Sequence, residues 1–191
     1  IKSSAASDVY KRQKFDLKSS QRESFDADIA RMDIVSVVSP VTVPALSEGD
    51  AVKEFYVLAV QMKRKDYDAK NILLLTKLIP QNIVFALQYD GQTQFTVFQH
   101  KLIMSAWQFT NEARVPLSGL NLDAVWENIV KAIGQIEVTG ENTLAGQIAE
   151  DDRKAKLLAQ IATLERKMVN EKQPRRKREY FEQIKKLKKQ I

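Results

Sequence analysis

The chain has no cysteine, a single histidine and only six glycines among its 191 residues. Without cysteine it has no disulfide, no thiolate zinc site and no cysteine-held iron–sulfur cluster. His100 has no second histidine with which to share a metal, and no nearby serine and aspartate predict a catalytic triad. We expect a hydrogen-bonded histidine on an edge strand. The few glycines form no phosphate-binding loop and no dinucleotide fingerprint, so we predict no cofactor.

Long apolar runs are also missing, since no stretch approaches the roughly 20 apolar residues of a membrane span. The hydrophobic fraction is nevertheless 44%, which is enough for a packed core and excludes a largely disordered chain. These features, together with the absence of cysteine, are typical of a cytoplasmic protein without a membrane partner.

The first residues are not expected to belong to the fold. Ser3 to Gln13 reads Ser-Ser-Ala-Ala-Ser-Asp-Val-Tyr-Lys-Arg-Gln, which resembles a transposon-based sequencing adapter translated in frame, as in an untrimmed metagenomic reading frame. We therefore predict that residues 1–13 are an artefactual, disordered leader. An α+β body over 14–142 and a basic helical hairpin over 143–191 would follow.

Charge is divided unevenly along the chain. Lys14 to Asp152 carries 13 Lys/Arg against 19 Asp/Glu, a net of −6, whereas Arg153 to Ile191 carries 14 Lys/Arg against 4 Glu, a net of +10. An acidic body followed by a strongly basic segment indicates contact with nucleic acid or with an acidic partner.

The body begins with a predicted helix. Ser20-x-x-Glu23 has the pattern of a capping box, and apolar residues follow at spacings of four and three: Phe25, Ile29 and Met32. Two short strands are predicted next, over Asp33–Val38 and Val41–Leu46.

A βαβ unit is predicted after them. Phe55–Met62 and Ile83–Leu87 are nearly continuous apolar runs, and Asp68 is placed to cap a helix running to Ile79 between them. Strands joined in this way are parallel, with a right-handed crossover. Tyr89-Asp90-Gly91 predicts a hairpin turn, and returning strands should occupy Phe95–Phe98 and Leu102–Phe109.

Three further helices are predicted. Asn121 starts one with a continuous apolar stripe, and Gly134 is expected to stop it. A long helix should run over 143–172, and Gln173-Pro174 should separate it from a second one. The two apolar stripes predict an antiparallel, coiled-coil-like hairpin. They are Leu144, Ile148, Leu157, Leu158, Ile161, Leu164 and Met168, then Tyr180, Phe181, Ile184, Leu187 and Ile191. The predicted fold class is α+β, a mixed sheet with flanking helices followed by this hairpin.

The element order predicted for residues 20–88, αβββαβ, matches the core of restriction-type nucleases. Those sites hold Mg²⁺ with an acidic residue and a Glu-x-Lys on the third strand, where this chain has Gln61-Met62-Lys63. A neutral glutamine lacks the charge that hard cations prefer. A divergent Mg²⁺-dependent nuclease, or a degenerate nuclease fold, is therefore the alternative hypothesis.

Two basic segments are candidate binding sites. Lys63, Arg64 and Lys65 precede the helix that Asp68 caps, where they would either grip phosphate or form a salt-bridged turn. In the second segment, Arg178, Lys185 and Lys189 should point away from the apolar stripe, beside Arg175 and Arg176. This charge favours a phosphate backbone, with a solvated helix face as the alternative. Tyr180 and Phe181 are expected to point inward, leaving no aromatic on that face.

Several stretches resemble a bacterial family known as domain of unknown function 4391. They are Phe25-Asp26-Ala27-Asp28-Ile29, Lys65 to Leu75, Lys77 to Asn82, Val125-Trp126-Glu127-Asn128-Ile129 and Glu171-Lys172-Gln173-Pro174. The resemblance carries no active site over to this chain. Genes of the family often neighbour helicase and DNA-methyltransferase genes, as in restriction or phage-defence clusters. It therefore implies a non-catalytic accessory protein of a DNA-processing system, partnered by nucleic acid, a helicase or a methyltransferase.

Overall fold

The structure is a computed structural model that describes residues 18–139 and 142–190, so the predicted leader at 1–13 and Ile191 lie outside the described residues. In chain order the elements are α1 (Ser19–Asp28), β1 (Ile29–Val38), β2 (Phe55–Met62), α2 (Ala69–Leu78), β3 (Ile83–Tyr89), β4 (Gln92–Gln99), β5 (Lys101–Met104), β6 (Gln108–Phe109), α3 (Leu122–Gly134), α4 (Leu144–Asn170) and α5 (Pro174–Lys188). The chain divides into two compact units, Ile1–Glu137 and Val138–Ile191. The α+β class, the mixed sheet and the C-terminal helical pair are as predicted.

The first unit contains a six-stranded sheet in the order β1-β2-β3-β4-β5, with β6 also paired to β4. β2 and β3 are parallel, and α2 makes the crossover between them, which confirms the βαβ unit. The other strand pairs are antiparallel. The β3–β4 hairpin turns through Asp90 and Gly91, both with left-handed φ angles of 46° and 69°, as two-residue turns of this kind require.

The main hydrophobic core lies between one face of the sheet and helices α1 and α2. Its members alternate along β2 and β3, because side chains point to opposite faces of a strand. They are Phe25, Ile29, Leu58, Val60, Met62, Ile72, Leu75, Ile79, Ile83, Phe85 and Leu87. Asp68 caps α2 as predicted, accepting from the N–H of Lys70 at 2.9 Å.

Helix α3 packs on β4 and β5 with the apolar stripe predicted for it. Trp126 lies against Phe55, with ring centroids 5.7 Å apart, and donates a hydrogen bond to Gln99. α3 ends at Gly134 as predicted, but Gly134 is not the residue with the left-handed conformation that usually closes a helix. Gln135 takes the left-handed conformation instead, at φ 50°. Gly134 is small for another reason, since a Cβ there would lie 2.8 Å from Ile103.

The N-terminal helix is shorter than predicted. α1 starts at Ser19, where Gln21 accepts from the Lys18 N–H at 3.3 Å, and it ends at Asp28. Ile29 and Met32 therefore belong to β1 and not to the helix. β1 shifts its register against β2 between Ile29 and Arg31 and again between Ile34 and Ser36. The extra residue of such a bulge changes a spacing of two into a spacing of three, which imitates a helical pattern.

Residues 41–46, predicted as a strand, form turns. The backbone N–H groups of Thr42 and Val43 both donate to the carbonyl of Ser39, at 3.1 and 2.8 Å. The Thr42 hydroxyl accepts from the Ser39 N–H at 2.9 Å. Short hydroxyl side chains thus close a turn that overrides the strand propensity of these residues. The predicted αβββαβ order is consequently wrong, and the order over this region is αββαβ.

The second unit is a pair of helices joined by three residues, 171–173. Ile161 and Ile184 are its buried residues between the helices, with 4% and 5% exposure. Near the far end Arg153 donates to the carbonyl of Gln190, 3.4 Å away, as expected of antiparallel helices. Pro174 occupies the first turn of α5, where a missing N–H costs nothing. None of the helices in the described ranges is both long and apolar enough to cross a membrane.

Candidate nucleic-acid interface

The most highly charged element is α5. Its lysines and arginines all lie in the solvent-exposed class: Arg175, Arg176, Lys177, Arg178, Lys185, Lys186, Lys188 and, directly after the helix, Lys189. Ile184 is buried and Tyr180 and Leu187 are half-buried, so the cations lie on the rest of the α5 surface.

Some of these cations have acidic neighbours. Arg175 pairs with Glu179 at 3.5 Å, Arg176 with Glu171 at 3.9 Å, and Lys188 with Glu165 at 3.0 Å. Exposed pairs of this kind contribute about 0–1 kcal/mol each. They do, however, divide the positive charge of α5 into a neutralised part and an unneutralised part.

The side chains of Arg178, Lys185 and Lys189 have no ion-pair or hydrogen-bond partner within residues 18–139 and 142–190. Their spacings of seven and four place them along one face of α5. At 1.5 Å per residue this row spans about 16 Å. We call these three residues the basic row.

Phe181 lies beside the basic row. It was predicted to point inward, but its exposure is 54%. It follows Arg178 by three residues and precedes Lys185 by four, and side chains at these spacings are neighbours on a helix. Tyr180, by contrast, is half-buried. Within the described residues, the hairpin therefore has an exposed aromatic ring beside cations without an acidic partner, which the apolar stripe in the sequence did not predict.

Glu171 holds the connection between the two helices. Its carboxylate accepts hydrogen bonds from the N–H groups of Lys172 and Gln173, at 2.9 and 3.0 Å. The Gln173 N–H, despite an opposing effect of desolvation, contributes most to lowering the pKa of Glu171 below its usual value. A carboxylate that stays ionised at this position also complements the positive end of α5.

The second predicted basic segment, Lys63 to Lys65, has its side chains occupied by the fold. Lys63 donates to the backbone carbonyl of Asp26. Lys65 donates to Gln92 at 2.6 Å and lies 5.6 Å from the ring centre of Trp107. The cations thus diverge toward α1 and β4 and do not converge on a common ligand position.

Arg64 pairs with Asp28, whose side chain is fully buried. The Asp28 carboxylate also accepts from the Asp68 N–H at 2.8 Å and from the Asn71 amide at 2.7 Å. Burial raises the pKa of Asp28, but the hydrogen bonds from Asp68, Arg64 and Asn71 outweigh it and leave the pKa below the usual 3.8. Arg64 therefore belongs to the salt-bridged turn that was the alternative to a phosphate grip.

One family matches almost the entire sequence. The sequence profile described as Domain of unknown function (DUF4391) covers residues 12–191. The chain belongs to this family. Neither the curated proteins nor the solved structures contain a match to it. The family description names no activity, so function has to be argued from the geometry of the chain itself.

Within this DUF4391 chain, the positions that the nuclease alternative requires face other partners. Gln61 donates to the backbone carbonyl of Gln88 at 3.3 Å, and Lys63 is held by α1 as described above. The described parts of the chain contain no cluster of three or more His, Asp or Glu side chains placed to hold a metal ion. Asp28, the nearby buried acid, is fully committed to its hydrogen bonds.

A cavity of about 700 Å³ lies where β2 and β3 begin. Its charged lining groups are paired locally. Lys53 lies 3.6 Å from Glu48 and donates to the carbonyl of Gly49, and Glu54 accepts from the Tyr56 hydroxyl at 2.5 Å. The Glu54 hydrogen bond raises the pKa of Tyr56. The three charged side chains that line the cavity are thus bonded to neighbouring residues of the chain.

His100 is neither on an edge strand nor hydrogen-bonded within the described residues. It is exposed in the tight turn between β4 and β5, with a left-handed φ of 60°. Histidine tolerates this conformation better than most residues do.

Proposed function

We propose that this protein is a non-catalytic accessory component of a bacterial DNA-processing system, in which the hairpin of α4 and α5 holds nucleic acid by its phosphates. The observation that carries the proposal is the basic row, Arg178, Lys185 and Lys189, which is exposed and forms no ion pair within residues 18–139 and 142–190. The salt bridges of the hairpin leave this row free.

Electrostatics favours a polyanion as the ligand. Arg153 to Ile191 has a net charge of +10, and each cation that contacts a phosphate releases a condensed counterion. Such contacts set affinity and orientation but read no bases. An accessory protein that holds DNA or RNA for a larger enzyme needs this kind of binding.

Genes of the family that this chain resembles lie beside helicase and DNA-methyltransferase genes, which suggests that the larger enzyme is a helicase or a methyltransferase. The acidic body, with a net charge of −6 from Lys14 to Asp152, is unsuited to phosphate contact and is free to bind such a partner. In the loop after β2, Lys63 is held by the carbonyl of Asp26, and Arg64 is held by the carboxylate of Asp28.

The test measures binding of a fluorescent oligonucleotide as salt is varied. The variant Arg178→Gln, Lys185→Gln, Lys189→Gln should weaken binding at least about tenfold near 0.1 M salt. It should also reduce the slope of log K against log salt by about 2–3, because each phosphate contact contributes about 0.7–0.9.

A matched control keeps the same change of net charge on the same hairpin. Lys154, Lys156 and Arg175 each pair with an acid four residues away, and their replacement by glutamine should leave binding nearly unchanged. Equal loss in both triple variants would show that only net charge matters. Competition by poly-glutamate as strong as that of DNA would identify an acidic protein as the ligand instead.

The accessory role also requires that the oligonucleotide stays intact. With Mg²⁺ present, gel analysis should show no cutting by the wild-type protein. Metal-dependent cleavage that disappears in Lys63→Ala would contradict the proposal and favour the nuclease alternative.

A further inference from the structure

We propose that the hairpin prefers single-stranded nucleic acid, because Phe181 stacks on an unpaired base while the basic row holds the flanking phosphates. This inference rests on the proposed function and adds the class of nucleic acid. Its basis is the placement of one exposed aromatic ring among free cations.

The ring is available for stacking. Phe181 is 54% exposed, and its neighbours on the helix face are Arg178 and Lys185, which have no acidic partner in the part of the chain that the structure describes. An exposed aromatic ring beside a track of cations is the combination that single-strand-binding proteins use.

A base is a better cover for this ring than an apolar protein helix. A protein helix that buried Phe181 would also strip water from Arg178 and Lys185, which is costly for unpaired charges. A nucleotide brings a π face for the ring and a phosphate for the cations at the same time. In a duplex the bases are stacked on each other, so only an unpaired base can lie on Phe181.

The spacing along the helix fits this division of tasks. Arg178 and Lys185 lie about 10 Å apart along α5, and Phe181 lies between them. A single strand can cross the face with phosphates at the two cations and one base turned onto the ring. Lys189, one helical turn beyond Lys185, extends the track by about 6 Å.

The experiment compares an oligothymidine with a duplex of the same length at the same salt concentration. The wild-type protein should bind the single strand more tightly than the duplex. Phe181→Leu should lose about tenfold affinity for the single strand, because it keeps apolar surface but has no π face, and it should bind the duplex as before. Phe181→Trp should retain or increase the single-strand affinity.

Leu158→Ala is the matched control, since Leu158 is on the same hairpin and has the same exposure of 54%. It should bind both ligands like the wild type. Circular dichroism should show equal helix content in all variants.

The outcomes separate this inference from the proposed function. Equal affinity for single strand and duplex, or wild-type binding by Phe181→Leu, overturns the inference and leaves the proposed function standing. Failure to bind either ligand overturns both.

Discussion

The side-chain amide of Asn71 donates a 2.7 Å hydrogen bond to the carboxylate of Asp28, and both side chains are buried. Asn71 is bonded in turn to Ser24, donating to its carbonyl at 3.1 Å. One ionised group therefore connects the end of α1, the loop after β2 and the first turn of α2. Its removal would leave several buried donors without an acceptor.

Replacing Asp28 with alanine should lower the free energy of unfolding by about 3 kcal/mol, because it breaks a buried pair and strands the Asn71 amide and the Asp68 N–H. Urea denaturation at neutral pH measures this. Asp66→Asn changes an exposed acid in the same loop and should shift stability by less than about 0.5 kcal/mol. A loss in Asp28→Ala no larger than in this control would show that the network contributes nothing.

The stabilisation by Asp28 should depend on pH. Its pKa in the folded protein lies below the usual 3.8, so the carboxylate stabilises the fold above that value, and the effect is lost as pH falls through the folded pKa. The stability difference between wild type and Asp28→Asn should therefore be constant above about pH 5 and shrink below 3.8. Other acids titrate in both proteins and cancel in the difference. A gap that widens in acid would contradict this assignment.

Another prediction about stability concerns Gly49, which lies against the Asp123 carboxylate. The Asp123 carboxylate accepts from the N–H groups of Asp50 and Val52, at 2.6 and 2.7 Å. These bonds, that of Val52 foremost, lower the pKa of Asp123 against its partial desolvation. A Cβ on Gly49 would overlap the carboxylate and lie 2.7 Å from the backbone nitrogen of Asp123.

Gly49→Ala should accordingly destabilise the protein by about 1–3 kcal/mol, as overpacking does. Thermal unfolding of this variant beside Glu48→Ala, an exposed neighbour, gives the measurement. Equal melting temperatures for the two variants would show that the loop moves aside freely.

The contact between α4 and α5 should depend on Ile161 and Ile184, the isoleucines buried between them. Ile184→Ala removes a side chain with 5% exposure and should cost about 2–4 kcal/mol of local stability. Hydrogen exchange in α4 and α5 should accelerate, while β2 and β3 keep their protection. Val169→Ala, at a position with 73% exposure, should exchange like the wild type. Unchanged exchange in Ile184→Ala would mean that the seam does not hold the helices together.

The sequence predicted the elements with strong periodicity well. The βαβ unit, α3 and the helical hairpin all have long apolar patterns and clear starts, such as Asp68 and Asn121. β1 was partly misassigned, because its bulges gave Ile29 and Met32 a helix-like spacing. The strand predicted over Val41–Leu46 is absent, because hydrogen bonds of Ser39 and Thr42 form a turn there. Strand propensities do not include such side-chain bonds.

The sequence predicted where the basic residues of the candidate site are concentrated, but not which of them form ion pairs. Lys188 pairs with Glu165 from the other helix, 23 residues away in sequence, whereas the Lys185 side chain has no such partner in the described part of the chain. The apolar stripe predicted that Phe181 points inward beside Tyr180. The contact surface between two helices is too narrow to bury both side chains.

The two irregularities in β1 have a consequence for handling the protein at high concentration. β1 ends the strand order of the sheet, and a straight strand in that position would offer its backbone to a neighbouring molecule. The register shifts twist and interrupt that ladder. Concentrated samples should therefore resist edge-to-edge pairing of β1 strands from different molecules, the contact by which sheets extend into aggregates.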